Sequence, residues 1–341
     1  MNGVIIIDKP AGWTSHDVVN RMRRILQQRS IGHLGTLDPL ATGVLPLVTG
    51  SLTRLAQFYI ASEKTYEGII RFGFATNTYD ADGEPLDPLS NHDGRADIGT
   101  AHVGTAAPGC PSGRRPDLNL GTLQKLAAEF HGQIQQAPPP FSAKKIQGIR
   151  AYKLARKRKE VTLQPVQVEI KEFTITAVEN DRAHFRARVS SGTYMRSIAH
   201  EMGQRLGCGA HLSSLRRTSV AEFDITQAHT IEEIETACHS EMWGGRPRPP
   251  IPPAATHSTE LHPARQLKTL FIHPRQLLPQ FPSVTADEPT AARIRSGRPI
   301  NLPELSRARQ VKVFASQTEL LAIATRVAGT LFHPKIVFPG E

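Results

Sequence analysis

The sequence has few cysteines and none of the common metal or cofactor motifs. Its three cysteines, Cys110, Cys208 and Cys238, are widely spaced and form no C-x-x-C pair, which argues against a disulfide framework and against a cysteine-built zinc site. The P-loop, dinucleotide-binding, nucleophile-elbow, zinc-protease and zinc-deaminase patterns are all missing. We therefore expect reduced thiols, no metal and no cofactor.

Long hydrophobic runs are also missing. No window reaches the roughly 18 apolar residues that span a bilayer, and the apolar run at residues 4–7 is far shorter than the core of a secretory signal. We therefore expect a cytoplasmic protein that does not cross a membrane.

Acidic residues are in deficit. The chain has 31 Asp and Glu against 41 Lys and Arg, with a formal net charge of +10. This excess favours a polyanionic partner, and charge alone leaves nucleic acid and an anionic membrane surface both open. The membrane alternative has only the net charge behind it, because the sequence contains no basic amphipathic helix with aromatic anchors.

The 341 residues are enough for about two domains. The clearest break is at residues 244–253, where five of the last eight residues are proline, and we expect a Pro-rich linker over 244–263. It separates a larger part, residues 1–243, from a small β-rich part, residues 264–341. A second stretch rich in glycine and proline, at about residues 80–121, has the composition of an insertion.

Hydrophobic periodicity predicts mixed strands and helices. Residues 182–189 alternate between apolar and basic side chains, which is typical of a half-buried antiparallel strand with a basic outer face. Thr14 and Ser15 offer N-cap hydroxyls to a helix. Because these elements follow no regular βαβ alternation, we expect an α+β fold. The other predicted strands are residues 4–7, 66–74, 166–176, 311–314 and 320–325, and the other predicted helices are residues 123–130 and 194–206.

Residues 32–46 hold three glycines and two prolines around a single acid, Asp38. Pro39 biases Asp38 toward an extended conformation. An aspartate before proline is a common turn-capping residue, while a carboxylate held rigidly among leucines also suits catalysis, and the residues alone leave both interpretations open. A metal-binding role for His33 is disfavoured because no cluster of further ligands accompanies it.

Two further segments are unusual. Residues 144–159 contain eight basic residues and no acid, which is typical either of a solvated face or of a surface that follows a phosphate backbone. Later in the chain a strand ends at Gly192, and Tyr194 and Arg196 stand at the entry of the next helix. Arg196 would gain a specific role if an acid lay beside it.

Together these segments resemble one family, the TruB-type tRNA pseudouridine synthases. The resemblance covers roughly residues 3–235, and its motifs occur in the family's order. The motifs are K-P-x-G-x-T-S at 9–15, G-H-x-G-T-L-D-P-x-A-x-G-x-L at 32–45, K-x-Y at 64–66, P-P-x-F-S-A-x-K at 138–145 and G-T-Y-x-R-S at 192–197.

The resemblance implies a fold and an activity. The fold would be a mixed, largely antiparallel central sheet flanked by helices, followed by a small PUA-like RNA-binding domain. The activity would be isomerisation of uridine to pseudouridine at position 55 in the T-loop of tRNA. The partner would be the T-arm of tRNA, and we expect a monomer.

Carried over residue by residue, the resemblance also implies catalytic roles. Asp38 would be the nucleophile and Arg196 its ion-pair partner. Tyr66 would stack on the target base and serve in proton transfer. Attack of Asp38 on C6 of the base, attack on C1′ of the ribose and a glycal route all use the same carboxylate, and the sequence leaves them open.

The remaining predicted roles concern binding. His33 would help to hold the T-loop and fill the space left by the flipped nucleotide, and Tyr194 and Leu215 would line the uridine pocket. The candidates for contacts with the RNA backbone are Lys9, Lys144, Lys145, Arg150 and Lys153.

Two other functions remain as rivals. A guide-dependent relative that modifies ribosomal RNA shares the G-H-x-G-T-L-D-P motif, although the residues after Leu45 favour the bacterial tRNA enzyme. A non-catalytic RNA chaperone could fold tRNA by binding the T-loop. The presence of Asp38 together with Tyr66 and Arg196 argues against a purely binding role.

Overall fold

The computed structural model describes residues 2–86, 118–142, 144–146, 149–151, 163–243, 267, 269–305 and 307–339. Several predictions lie outside the described residues: the linker at 244–263, most of the insertion at 80–121, and Lys153. Among the helices in these ranges, none combines the length and the apolar character that crossing a bilayer requires.

Helices and strands alternate irregularly along the chain. The helices are α1 Ser15–Ile25, α2 Ala56–Tyr59, α3 Leu120–Ala128, α4 Met195–Arg205, α5 Ile231–Trp243 and α6 Glu288–Arg295. The strands of the first two-thirds are β1 Gly3–Lys9, β2 Ile31–His33, β3 Thr42–Thr49, β4 Lys64–Phe72, β5 Gly132–Gln136, β6 Lys145–Ile146, β7 Ile149–Arg150, β8 Val166–Glu179, β9 Arg182–Val189 and β10 Ala210–Val220. The later strands are β11 Phe223–Asp224, β12 Phe271–Ile272, β13 Ser283–Thr285, β14 Ile300–Asn301, β15 Gln310–Phe314, β16 Leu320–Ala328 and β17 Leu331–Val337.

The described chain forms two compact units. The first unit comprises residues 1–39, 43–60 and 220–341 as far as they are described, and the second comprises residues 40–42 and 61–219. The division therefore groups the C-terminal part of the chain with the N-terminal strands. The domain boundaries at residues 243 and 264 stay a prediction from composition.

The first unit begins with strands that are buried on both faces. In β1 the apolar run from Val4 to Ile7 is 0% exposed, and β1 pairs antiparallel with β3 on one side and β12 on the other. The α1 helix begins as predicted, because Thr14 and Asp17 form a capping box in which each side chain bonds the other's backbone N–H. These local signals set where the N-terminal elements start.

The same unit contains the C-terminal sheet, in the order β13-β15-β16-β17-β14. Its β-rich character confirms the sequence prediction. Its side chains share a hydrophobic core with the N-terminal strands, since Phe314 and Ile323 belong to one buried cluster with Val4, Ile6 and Val48. The C-terminal sheet is therefore built into the core of this unit.

The second unit is a largely antiparallel sheet in the order β10-β4-β9-β8-β5, with α3 against β8. The predicted strand at residues 182–189 is confirmed at the same bounds as β9. Its outer face is less basic in context than the strand alone indicates, because Glu67 is paired across from Arg186 and Glu172 from Arg188. The α+β fold class is confirmed in both units.

Candidate active site

The loop that carries Asp38 connects β2 to β3, and its residues up to Pro39 belong to the first unit. Its backbone is held by the N-terminal segment: the Ser15 hydroxyl donates to the Leu37 carbonyl at 3.1 Å and accepts from the Leu37 N–H at 2.8 Å. The Gly12 N–H donates to the Pro39 carbonyl at 2.9 Å. Asp38 itself is half-buried. The residues on both sides of the carboxylate are therefore fixed by hydrogen bonds.

Lys9 belongs to the same arrangement. Its side chain is 0% exposed, and its ammonium donates to the carbonyls of Trp13 at 2.6 Å, Pro10 at 2.9 Å and Pro39 at 3.2 Å. The predicted contact of Lys9 with the RNA backbone does not fit this burial. The structure places Lys9 as the cation that ties the Asp38 loop to the N-terminal turn, since a buried ammonium requires such acceptors.

His33 lies at the other end of the same loop. It is the last residue of β2, half-buried, and its Nδ1 accepts the Gly35 N–H at 3.3 Å. Nδ1 therefore acts as an acceptor in this bond. The structure thus brings two sequence-predicted residues, His33 and Asp38, onto one loop.

The other four predicted residues lie in the second unit. Tyr66 lies on β4 and is 7% exposed, and Leu215 lies on the adjacent strand β10 and is 8% exposed. Tyr194 is the half-buried N-cap residue of α4. Thr42 belongs to the same unit, and its hydroxyl donates to the Leu215 carbonyl at 3.5 Å.

Arg196, in the first turn of α4, has partners that the sequence did not reveal. Its Nη1 lies 3.4 Å from Oδ2 of Asp80 and donates to the Thr78 carbonyl at 3.0 Å, and its Nη2 donates to the Phe141 carbonyl at 3.0 Å. Both charged side chains are buried. The structure therefore supplies an acid beside Arg196, namely Asp80, while the ion pair with Asp38 stays a prediction.

Asp80 is held in place by its own turn. Its Oδ1 accepts the Thr78 hydroxyl at 2.6 Å and the Asp82 N–H at 3.2 Å, and its carbonyl accepts the Thr76 hydroxyl at 2.7 Å. The bonds from Thr78 and Asp82 occupy Oδ1, and Oδ2 is the oxygen that faces Arg196. The sequence analysis predicts no role for Asp80 beyond its place at the start of the insertion. The threonine, asparagine and glycine residues around it are nevertheless typical of an ordered turn.

A stacked ring pair supports this turn from α4. The rings of Tyr79 and His200 lie 3.7 Å apart with an interplanar angle of 8°. Tyr79 has a φ of +65°, a conformation that side-chain-bearing residues rarely adopt. Burial lowers the pKa of His200 to about 4, so the ring is neutral at physiological pH. Helix α4 therefore contacts the Asp80 turn through both Arg196 and His200.

The electrostatics around the K-x-Y motif are unusual. Burial, together with the Arg217 guanidinium, lowers the pKa of Lys64 to about 8. Arg217 is fully buried on β10. Lys64 donates a hydrogen bond of 2.6 Å to the Ser62 carbonyl. Lys64 and Arg217 are therefore close enough for their charges to interact. They lie on β4 and β10, the strands that also carry Tyr66 and Leu215.

The predicted RNA-backbone candidates Lys144, Lys145 and Arg150 lie on or beside two short antiparallel strands, β6 and β7, which we call the basic hairpin. Strands β6 and β7 pair with Lys145 opposite Arg150, and the Ala151 N–H donates to the Lys144 carbonyl at 2.7 Å. Lys144 is exposed. The structure thus gathers three of the candidates at one place, and Lys153 lies outside the described residues.

No metal site accompanies these groups in the described part of the chain, where no three His, Cys, Asp or Glu side chains are grouped as ligands. The functional candidates that sequence reasoning missed are Asp80 and Gln136. Gln136 makes two hydrogen bonds to the backbone of Tyr194, at 2.8 and 3.1 Å. No sequence pattern around Asp80 or Gln136 indicated the distant residue that each of them contacts.

Solved structures show where this fold occurs. The chain resembles one in the structure of an H/ACA RNP bound to a substrate RNA containing 2′-deoxyuridine, with a TM-score of 0.64, 20% identity, and coverage of 99% of this chain and 85% of the other. A Cbf5-Nop10-Gar1 complex matches with a TM-score of 0.64, 22% identity and the same coverage. This likeness confirms the predicted pseudouridine synthase fold.

Sequence comparisons give the family. The model of the TruB family pseudouridylate synthase N-terminal domain matches residues 23–102 and 111–195, and that of the tRNA pseudouridylate synthase B C-terminal domain matches residues 196–245. The tRNA pseudouridine synthase B of Solibacter usitatus is 44% identical over 342 residues, 99% of this chain and 100% of the relative. That of Aquifex aeolicus is 40% identical over 245 residues, 71% of this chain and 77% of the relative. The chain therefore belongs to the TruB family and is a tRNA pseudouridine synthase.

Proposed function

We propose that this protein isomerises uridine 55 in the T-loop of tRNA, with Asp38 as the nucleophile. Family membership and the relatives' names support the substrate. The observation that carries the role of Asp38 is the fixed backbone of its loop, held on one side by Ser15 and on the other by Gly12 and Lys9. A carboxylate whose position is fixed before substrate arrives loses little entropy on reaching the reacting atom.

The reaction explains why one carboxylate is enough. The bond between N1 of uracil and C1′ breaks, the base rotates, and a bond from C5 to C1′ forms, while the C5 proton is lost and N1 gains one. No atom or electron is exchanged with another substrate. With Asp38 as the nucleophile, the carboxylate would add to the nucleoside and leave again at the end of the reaction.

Access to the target requires the base to leave its stack. Flipping costs a few kcal/mol, and aromatic side chains offset this cost by stacking on the extruded base. Tyr66 and Tyr194 are the aromatic residues of the predicted pocket, and Leu215 gives it an apolar wall. His33, on the Asp38 loop, would occupy the space that the nucleotide leaves.

Recognition of the tRNA would rest on positive charge. The chain carries a formal net charge of +10, and the hairpin with Lys144, Lys145 and Arg150 lies within the long acid-free run. Phosphate contacts of this kind supply most of the affinity of proteins for nucleic acids. The C-terminal sheet would serve as the PUA-like RNA-binding domain, and the protein would act as a cytoplasmic monomer without a cofactor.

The test compares the wild type with Asp38→Asn on an unmodified tRNA transcript, with pseudouridine mapped chemically along the whole molecule. We expect one modified position, uridine 55, and no product from the variant. The affinity of Asp38→Asn for tRNA should stay within roughly tenfold of the wild type, because phosphate contacts are unchanged. Asp82→Asn, which removes an exposed carboxylate, is the matched control and should leave turnover intact.

Three outcomes would contradict the proposal. Product from Asp38→Asn would remove the nucleophile role, and modification at another uridine would remove the T-loop assignment. Tight binding of tRNA by the wild type without any pseudouridine would favour an RNA chaperone or a guide-dependent substrate.

A further inference from the structure

The segment between β5 and the basic hairpin depends on α4 for its hydrogen bonds. Residues 138–140 are three prolines, which have no N–H to donate. The carbonyls on either side accept from the first turn of α4 instead: Ala137 from the Ser197 hydroxyl at 2.8 Å, and Phe141 from Arg196 at 3.0 Å. The proline segment is therefore attached to the part of α4 that carries the predicted pocket residues.

Gln136, at the end of β5, makes the most complete of these contacts. Its Oε1 accepts the Tyr194 N–H at 2.8 Å, and its Nε2 donates to the Tyr194 carbonyl at 3.1 Å. The Gln136 side chain is buried, at 2% exposure. The carboxamide thus bonds both backbone polar groups of one residue, which only a side chain with a donor and an acceptor can do.

Tyr194 occupies a position where such support has a clear effect. It is the N-cap residue of α4, and its own side chain makes no capping hydrogen bond. It follows Gly192, which has a φ of +87°, so the chain turns sharply just before it. The direction of the Tyr194 ring therefore depends on a backbone that Gln136 holds from outside the helix.

We propose that Gln136 is a positioning residue for catalysis, whose carboxamide fixes the backbone of Tyr194 so that the ring stands ready to line the uridine pocket. The proposal rests on the proposed function, because it takes the pocket role of Tyr194 from there. Gln136 acts through Tyr194 and touches no reacting atom.

A carboxylate in place of the carboxamide makes the proposal testable by pH. In Gln136→Glu the ionised side chain still accepts the Tyr194 N–H, but it repels the Tyr194 carbonyl. On protonation it regains the donor, and burial raises the pKa of a carboxyl above the ordinary glutamate value of about 4.3. Gln135→Glu adds the same charge at the exposed neighbouring residue and is the matched control.

The first readout needs no substrate. The chain has five tyrosines, so selective ¹⁵N-tyrosine labelling gives few amide signals. The signal of Tyr194 is the one that is missing from the spectrum of Tyr194→Phe. We expect the Tyr194 amide shift to titrate with pH in Gln136→Glu and to stay constant in Gln135→Glu and in the wild type. If the Tyr194 amide signal did not titrate in Gln136→Glu, the proposal that Gln136 fixes the Tyr194 backbone would be overturned.

The second readout is the rate of pseudouridine formation in a single turnover. At pH 8 we expect Gln136→Glu to be slower than the wild type by about tenfold, with tRNA affinity within about twofold, and we expect the ratio of the two rates to recover several-fold toward pH 6. Gln136→Met, which lacks both polar atoms, should be slow at either pH. Gln135→Glu should match the wild type.

The two proposals fail in different ways. A rate ratio for Gln136→Glu that does not change with pH, a defect confined to affinity, or a wild-type rate in Gln136→Met would overturn the positioning role. If the wild type formed no pseudouridine 55 at all, the proposed function would fail, and the Tyr194 amide titration would still decide whether Gln136 holds that backbone.

Discussion

Arg196 and Asp80 form a buried ion pair in the second unit, with Nη1 and Oδ2 separated by 3.4 Å and side-chain exposures of 5% and 7%. Asp80 presents this oxygen because its other one is occupied by Thr78 and by the backbone of Asp82. Arg196 in turn holds the Thr78 and Phe141 carbonyls. One guanidinium therefore joins the Asp80 turn, the proline segment and α4.

Removing the charge of Asp80 should be costly. Asp80→Asn keeps an acceptor for Thr78 but leaves the Arg196 charge buried without its carboxylate, which typically costs about 3–5 kcal/mol. We expect a lower free energy of unfolding in urea and a slower single-turnover rate, with tRNA affinity nearly unchanged. Asp82→Asn is the control. An Asp80→Asn protein with wild-type stability and rate would show that the pair has no such importance.

The basic hairpin should control the salt dependence of tRNA binding. Neutralising Lys144, Lys145 and Arg150 to glutamine should weaken binding, and it should flatten the plot of log affinity against log salt by about 0.7–0.9 for each phosphate that the variant no longer neutralises.

The matched control for the hairpin neutralises Arg182, Arg186 and Arg188 on β9, where Glu67 and Glu172 are paired across from two of the arginines. Since carboxylates balance that face, the slope should change much less. An equal change in both variants, or an unchanged slope in the hairpin variant, would contradict a specific RNA-binding role.

His200 should make the protein less stable in mild acid. Its pKa is lowered by burial to about 4 in the folded protein, against an ordinary value of 6.5. Above pH 6.5 both states are neutral and the group has no effect. As the pH falls from 6.5 to 4 the unfolded chain binds a proton that the folded protein does not, which lowers stability by about 2 kcal/mol at pH 4.5.

His200→Phe keeps a ring for Tyr79 and removes the titration. The loss of unfolding free energy between pH 7.5 and pH 4.5 should be smaller in this variant than in the wild type by about the same 2 kcal/mol. Urea denaturation at the two pH values measures the difference. Identical pH dependence in the two proteins would mean that His200 is protonated without penalty in the fold.

Tyr59 should contribute to the attachment of the C-terminal sheet within the first unit. Its hydroxyl donates to Glu222 at 2.6 Å and accepts the Leu278 N–H at 3.2 Å, and Glu222 also accepts that N–H at 2.9 Å. Burial and the Glu222 carboxylate raise the pKa of Tyr59, so the hydroxyl stays protonated and continues to donate.

Tyr59→Phe should lower the free energy of unfolding by about 1–3 kcal/mol, because it removes a donor from a half-buried carboxylate. A double-mutant cycle with Glu222→Gln isolates the pair, and we expect the two effects not to add. Additive effects of the Tyr59 and Glu222 substitutions would contradict the coupling.

The C-terminal sheet also shares a hydrophobic core with the N-terminal strands, since Phe314 and Ile323 pack in one cluster with Val4 and Ile6. We therefore expect this unit to unfold in a single transition.

Local signals made several elements predictable. The alternation of β9 predicted its bounds to the residue, and the Thr14 hydroxyl marked the start of α1, because side-chain period and capping are properties of neighbouring residues. Strand β3 is not among the predicted strands, because its residues carry no alternation of apolar and polar side chains. Its two buried faces remove the alternation that marks a half-buried strand.

The sequence by itself determined the family, the α+β class and the candidacy of Asp38, because these depend on ordered motifs and on periodicity along the chain. Only the tertiary structure decided that Lys9 is buried among backbone carbonyls, that Arg196 faces Asp80 and that Gln136 holds Tyr194. The identity of a lysine, an aspartate or a glutamine in the sequence does not reveal whether its side chain lies at the surface or in the core. Its role is set by which distant segments pack around it, because burial makes each unpaired polar group costly and therefore dictates its partners.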